Sequence, residues 1–177
     1  MIEQIEALIS EEEITIRVNE LAKEIEKDYE GLPITLIGTL TGAIFFLTDL
    51  SRKINLQQEI DFLKASSYGD GTTSTGDVRL ILTPKLQVEG RHVILIEDIV
   101  DTGYTSAFLV GFLEFHKPAS LKLCALLSKP DRRVVHGVNI DYLGFSIPDE
   151  FVVGYGLDCA QKYRNLPFIG VYRNEVT

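Results

Sequence analysis

The stretch Val93-Ile94-Leu95-Ile96-Glu97-Asp98-Ile99-Val100-Asp101-Thr102-Gly103-Tyr104-Thr105-Ser106 decides how the chain reads. Its four opening apolar residues predict a strand buried on both faces, as in a parallel sheet. Two adjacent carboxylates follow, a third stands three residues on, and a Thr-Gly-x-Thr-Ser turn then opens an apolar helical pattern. Parallel strands present ligand-binding groups at their carboxyl ends. The turn offers free backbone N–H groups, three hydroxyls and a helix N-terminus, which suit a phosphate monoester. The acids before it suit a pair of sugar hydroxyls, which need acceptors. The segment therefore reads as a holder for a ribose 5-phosphate. It also admits a plainer role, with Asp101 or Thr102 capping a helix whose dipole favours the acids.

Upstream, Ser10-Glu11-Glu12-Glu13 has the form of a capping box, and Ile14, Val18, Leu21 and Ile25 follow at helical spacing. Gly31-Leu32-Pro33 ends that helix. Ile34 to Ile37 predicts a short buried strand, residues 38–42 a loop, and Ala43 to Ile54 a second helix. Glu59 to Lys64 and Val78 to Leu82 read as strands joined by residues 66–77, a long aperiodic loop. Such loops often serve function, and this one predicts a mobile hairpin tip able to close over a reactive site. Downstream come a helix over 105–116 and a strand over 121–127, with Lys129-Pro130 at that strand's carboxyl end. Short apolar segments follow at 142–145, 151–153 and 168–172. Alternating strands and helices predict a single α/β domain with a mainly parallel sheet flanked by helices. The later segments would form a small hood over its carboxyl edge.

The 177 residues are enough for one domain with a sizeable core. Cys124 and Cys159 have no metal or disulfide spacing and fit a reducing cytosol. The opening Met1-Ile2-Glu3-Gln4-Ile5-Glu6 has no basic region followed by an apolar core, so no signal peptide is expected. No apolar run approaches the roughly 20 residues that span a bilayer. A formal charge of −9 counts against nucleic acid as the main partner. It also means that an anionic substrate needs a divalent cation and locally placed Lys or Arg.

Residues 93–106 resemble the PRPP-binding signature of type I phosphoribosyltransferases. Leu126-Leu127-Ser128-Lys129, Phe145-Ser146-Ile147-Pro148-Asp149, the run from Phe151 to Asp158 and Tyr163-Arg164-Asn165-Leu166 follow in the order of the hypoxanthine–guanine branch. Leu40-Thr41-Gly42 and the Ser67-Tyr68 loop fall where that branch places them, so the resemblance covers roughly residues 34 to 172. It implies transfer of a 5-phosphoribosyl group from PRPP to hypoxanthine or guanine, with release of pyrophosphate.

By that resemblance, Glu97 and Asp98 hold the ribose hydroxyls and, with Asp158, help place Mg²⁺. Asp101 takes the proton from purine N7, and Thr102, Gly103, Thr105 and Ser106 cradle the 5-phosphate. Leu40, Thr41, Gly42 and Arg164 meet pyrophosphate. Lys129 donates to the purine 6-oxygen, Phe151 stacks on the ring, and the Val152 carbonyl accepts from the ring edge. Ser67 and Tyr68 belong to the mobile loop. Related enzymes often carry lysine where this chain has Thr41, so a lysine contact there does not carry over. A cytoplasmic homo-oligomer, dimer or tetramer, is also implied. Two alternatives remain at this stage: a regulator that senses PRPP or nucleotides on the same fold, and a xanthine-preferring transferase.

Overall fold

The computed structural model describes residues 5–67, 78–85 and 87–173. Nine strands and three α-helices occur among them. In chain order they are β1 (Ile5–Ile9), α1 (Glu11–Asp28), β2 (Ile34–Thr39), α2 (Ile44–Lys53), β3 (Gln58–Ser67), β4 (Val78–Leu82), β5 (His92–Val100), α3 (Tyr104–Phe115), β6 (Ser120–Ser128), β7 (Tyr142–Ser146), β8 (Val152–Val153) and β9 (Ile169–Tyr172).

The main sheet has the order β4-β3-β2-β5-β6-β7, and every neighbouring pair is parallel except β3 with β4. Alternation along its central strands explains the layers. Leu36, Ile94, Ile96, Cys124 and Leu126 face a core shared with α1 and α2. Ile37, Val93, Leu95, Leu123 and Ala125 face a second core with Leu109 and Leu113 of α3. The apolar runs thus serve two faces at once, as expected of a doubly covered sheet. The capping box holds: Glu13 N–H donates to Ser10 Oγ at 3.2 Å, and Ser10 N–H donates to Glu13 Oε2 at 2.8 Å.

Three expectations change. The strand of residues 93–96 runs on to Val100, so Glu97 and Asp98 lie within β5 rather than after it. Likewise β2 reaches Thr39, and the loop read from Gly38 starts later. Residues 5–9, to which the sequence reading gave no element, form β1, which pairs antiparallel with β9. With β8 they build the hood, a three-stranded sheet in the order β1-β9-β8. The hood therefore draws on both ends of the described chain.

The expected hairpin is present, with Ser67 opposite Val78. Its tip, including Tyr68, lies outside the described residues. Cys124 is fully buried, its thiol pushed up by loss of solvent, and both cysteines are free. Among the described residues no helix is long and apolar enough to cross a membrane.

Candidate active site

Register sets the site. Val100 pairs with Ser128 across β5 and β6, so the next residues, Asp101 and Lys129, leave the sheet side by side. The Lys129 N–H donates to the Val100 carbonyl at 3.1 Å, which extends the pairing one step past the strands. On the other side Gly38 pairs with Ile96, which brings the loop after β2 level with Glu97 and Asp98.

Glu97 and Asp98 are acids held where water cannot reach freely. Glu97 is only 3% exposed, and its Oε1 has no hydrogen-bond partner among the described residues. Burial, reinforced by the neighbouring Asp98 charge, pushes its carboxyl up to about 8, with the Thr39 hydroxyl acting in the opposite sense. Burial pushes Asp98 up to about 6, against backbone hydrogen bonds and the Arg164 charge, while Asp158 adds to the rise. An orphaned buried oxygen and two carboxylates of raised proton affinity suit a site for hydroxyls or a cation. Among the described residues no three His, Cys, Asp or Glu side chains converge as a protein-only metal cage. Mg²⁺ takes one or two carboxylates and completes its shell with water and substrate phosphates, and Glu97 and Asp98 are carboxylates of that kind.

The loop Leu40-Thr41-Gly42 closes over these acids. The Leu40–Thr41 peptide bond is cis. The Leu40 N–H donates to the Leu63 carbonyl at 2.8 Å, whereas the Thr41 and Gly42 N–H groups find no acceptor among the described residues. A Cβ at Gly42 would lie 1.6 Å from Asp98 Oδ2, so this approach needs glycine. The hood closes from above. A Cβ at Gly156 would lie 1.9 Å from the Gly42 carbonyl oxygen, and Gly156 itself has a φ of 105°.

The turn after β5 does not use a side-chain cap. Gly103 is the capping residue of α3, with a φ of 91° and no side-chain hydrogen bond to the helix. The capping role considered for Asp101 or Thr102 is therefore overturned. The first helical bond runs from Ala107 N–H to the Gly103 carbonyl at 2.9 Å, leaving the preceding amides without helical acceptors. Thr102 and Thr105 are half-buried, while Ser106 is buried. The Thr102 carbonyl accepts from both Val134 and Val135 at 3.0 Å, pinning the segment after β6 against the turn.

That segment carries residues to which the sequence reading assigned no role. A 3-10 turn, Pro130–Arg132, reverses the chain just past Lys129. It brings Arg132 Nε to 2.9 Å from Asp101 Oδ1. Arg132 Nη1 lies 3.5 Å from Asp149 Oδ1, and Lys129 Nζ lies 3.7 Å from the same oxygen. Arg133 Nη2 donates to Ser128 Oγ at 2.8 Å, and its buried Nε has no partner among the described residues. Proline at the first turn position was the available clue. Arg132 and Arg133 had no periodicity to mark them.

At the hood, Arg164 Nη2 pairs with Asp158 Oδ1 at 2.7 Å, and its Nη1 donates to the Gly156 carbonyl at 2.7 Å. Lys129 is 6% exposed despite its charge. Phe151, by contrast, is 54% exposed, edge-on to Tyr172 at 6.2 Å between ring centroids. An aromatic left open beside a polar cleft suits stacking better than core packing. The Phe151 carbonyl accepts from Tyr172 N–H at 2.8 Å. By strand alternation, the Val152 carbonyl turns to the free edge of the hood sheet. Thus Asp101, Lys129, Glu97, Asp98, Gly42 and Arg164 gather at one carboxyl edge, with cations placed locally in an acidic protein. Of the mobile-loop pair, Ser67 ends β3 and Tyr68 is not described.

The chain as a whole is similar to known proteins. A sequence profile described as the phosphoribosyl transferase domain matches residues 4–160. The chain is 47% identical over 169 residues to the bifunctional protein TilS/HprT of Listeria innocua, spanning 96% of this chain but only 26% of that longer protein. It is 49% identical over 168 residues to a hypoxanthine phosphoribosyltransferase of Buchnera aphidicola, covering 94% of each. In three dimensions it is similar to a hypoxanthine-guanine phosphoribosyltransferase from Bacillus anthracis, with a TM-score of 0.89 and 50% identity over 94% of this chain and 97% of that one. Glycine-lined acids at the end of a parallel strand, a hood across them and this likeness along nearly the whole chain lead to one assignment: the chain belongs to the phosphoribosyltransferase family.

Proposed function

We propose that this protein transfers the 5-phosphoribosyl group of PRPP to a 6-oxopurine, hypoxanthine or guanine, giving the nucleoside monophosphate and pyrophosphate. The observation that carries this reading is the emergence of Asp101 and Lys129 side by side past the Val100–Ser128 pair, beside the buried Glu97 and half-buried Asp98. A 6-oxopurine shows a donor, N7–H, next to an acceptor, the 6-oxygen. An emerging carboxylate and an ammonium match that edge, while the 6-amino group of adenine would face a lysine that can only donate. The relatives' names support the same substrate class.

The chemistry then follows from this chain's residues. The backbone at Gly103, with Thr102, Thr105 and Ser106, holds the 5-phosphate at the N-terminus of α3. Glu97 and Asp98 accept from the ribose hydroxyls. Thr41 and Gly42 amides and Arg164 meet the pyrophosphate. Phe151 stacks on the purine and the Val152 carbonyl accepts at its far edge. Purine N9 bonds to ribose C1 as the bond from C1 to pyrophosphate oxygen breaks, and the N7 proton passes to Asp101. Glu97, Asp98 and Asp158 would hold Mg²⁺, which would stabilise charge on the departing pyrophosphate. One domain carries all these groups. A cytoplasmic homo-oligomer, dimer or tetramer, accords with the reading.

The test is turnover of PRPP with Mg²⁺ against hypoxanthine, guanine, xanthine and adenine. Turnover of hypoxanthine or guanine well above adenine is expected. PRPP binding without turnover of any base would point to a regulator instead, and a xanthine preference would revise the substrate.

A further inference from the structure

Four charged side chains alternate in sign along the purine side of the cleft: Asp101, Arg132, Asp149 and Lys129. The links are 2.9 Å from Arg132 Nε to Asp101 Oδ1, 3.5 Å from Arg132 Nη1 to Asp149 Oδ1, and 3.7 Å from Lys129 Nζ to that same Asp149 oxygen. The two ends of the relay are the groups proposed to meet the purine. The two middle members act through them. We propose that Arg132 is a positioning residue, which holds Asp101 in one rotamer with Oδ2 turned to purine N7, and that Asp149 ties this setting to the Lys129 ammonium. The inference rests on the transferase reading and deepens it.

Geometry makes the case. Asp101 Oδ1 is shielded from solvent and makes no hydrogen bond among the described residues, and Arg132 Nε is the cation against it at 2.9 Å. A carboxylate drawn to a cation through one oxygen leaves the other for the purine. Arg132 reaches it only because the 3-10 turn folds back, with Arg132 N–H donating to the Lys129 carbonyl at 3.2 Å and Arg133 N–H to the Pro130 carbonyl at 3.1 Å. The same turn starts at Lys129, so it sets the backbone of one end of the relay while its side chain steadies the other. Asp149 arrives three residues beyond Ser146, which pairs with Ser128. The relay as a whole is neutral. A nearly buried Lys129 therefore keeps a counter-charge before any purine arrives, and Asp101 need not turn inward to supply it.

The experiment compares the parent with Arg132→Ala, Arg132→Lys, Asp149→Asn, Asp101→Asn and the double variant Asp101→Asn/Arg132→Ala, measuring kcat with hypoxanthine, KM for PRPP and Tm. Arg132→Ala is expected to lower kcat about tenfold or more while KM for PRPP stays within about twofold. Arg132→Lys should recover part of that loss, because lysine supplies the charge but not the planar fork. In the double variant the loss should match that of Asp101→Asn alone, since two residues acting as one unit are not additive. Multiplying losses, or an Arg132→Ala kcat equal to the parent's, would overturn the inference and leave the transferase reading intact. A parent that turns over no 6-oxopurine would overturn both. If Arg132→Ala lowers Tm, Arg132→Lys and Asp149→Asn carry the comparison, and parental kcat in both overturns the inference.

Discussion

Gly42 and Asp98 occupy each other's space: a Cβ on Gly42 would stand 1.6 Å from Asp98 Oδ2 and 2.5 Å from its Cγ. The loop after β2 can lie on the acid only because nothing projects from it. Gly42→Ala must therefore push the loop off, or turn Asp98 out of place. Overpacking of this kind costs about 1–3 kcal/mol. We expect a lower urea midpoint and at least a tenfold fall in kcat/KM for PRPP, since a misplacement near 1 Å can cost about 10²-fold. Parental kinetics in Gly42→Ala would show that Asp98 does not work in the position described.

Asp101→Asn tests the proton acceptor. The amide keeps the shape but is a far weaker base, so the fold and PRPP affinity should persist. Turnover with hypoxanthine should fall by about 10²–10⁴, the usual scale of a general base. Steady-state kinetics beside PRPP titration separate the two. Near-parental turnover would remove Asp101 from the proton transfer.

Lys129→Met tests base choice. Removing a charged hydrogen bond costs about 1.5–3 kcal/mol, or roughly tenfold to a hundredfold in kcat/KM for a 6-oxopurine. Adenine should lose little, so the ratio of hypoxanthine to adenine turnover should shrink. An unchanged ratio would place base discrimination elsewhere in the cleft.

Glu97 and Asp98 make stability depend on pH. Both keep protons in the fold that they release when unfolded, since burial lifts them from 4.5 to about 8 and from 3.8 to about 6. Their contribution is fully present below the unfolded values and is lost as pH rises through the folded ones. Without PRPP or divalent cations, urea unfolding should show stability falling between about pH 4 and about pH 8, by on the order of a few kcal/mol. Glu97→Gln should flatten the upper part of that slope. A parent profile flat across this range would mean that the two acids are better solvated than described.

Much of the frame was legible because single strands carry their own signal. Ser10 and Glu13 marked the start of α1, and four apolar residues from Val93 marked β5. The acids after them were legible as a site because they follow a buried apolar run, although the strand itself continues through them. β1 was not, since three of its five residues are exposed and it exists through pairing with β9, far along the chain. Arg132 was not legible either. Its role depends on a tight turn that aims it back at Asp101, and a surface arginine elsewhere would have the same neighbours in sequence. Thr41 shows the limit differently: the loop closes without the lysine common in related enzymes, which only the three-dimensional arrangement could reveal.

The pairing of Val100 with Ser128 makes the sheet a gauge. Adjacent strands stand about 4.8 Å apart, and that spacing is fixed by backbone hydrogen bonds rather than by any loop. The backbone positions from which Asp101 and Lys129 project take their separation from it. Side chains around the cleft can therefore change how each group is aimed and which base is admitted, while the backbone spacing beneath them stays the same.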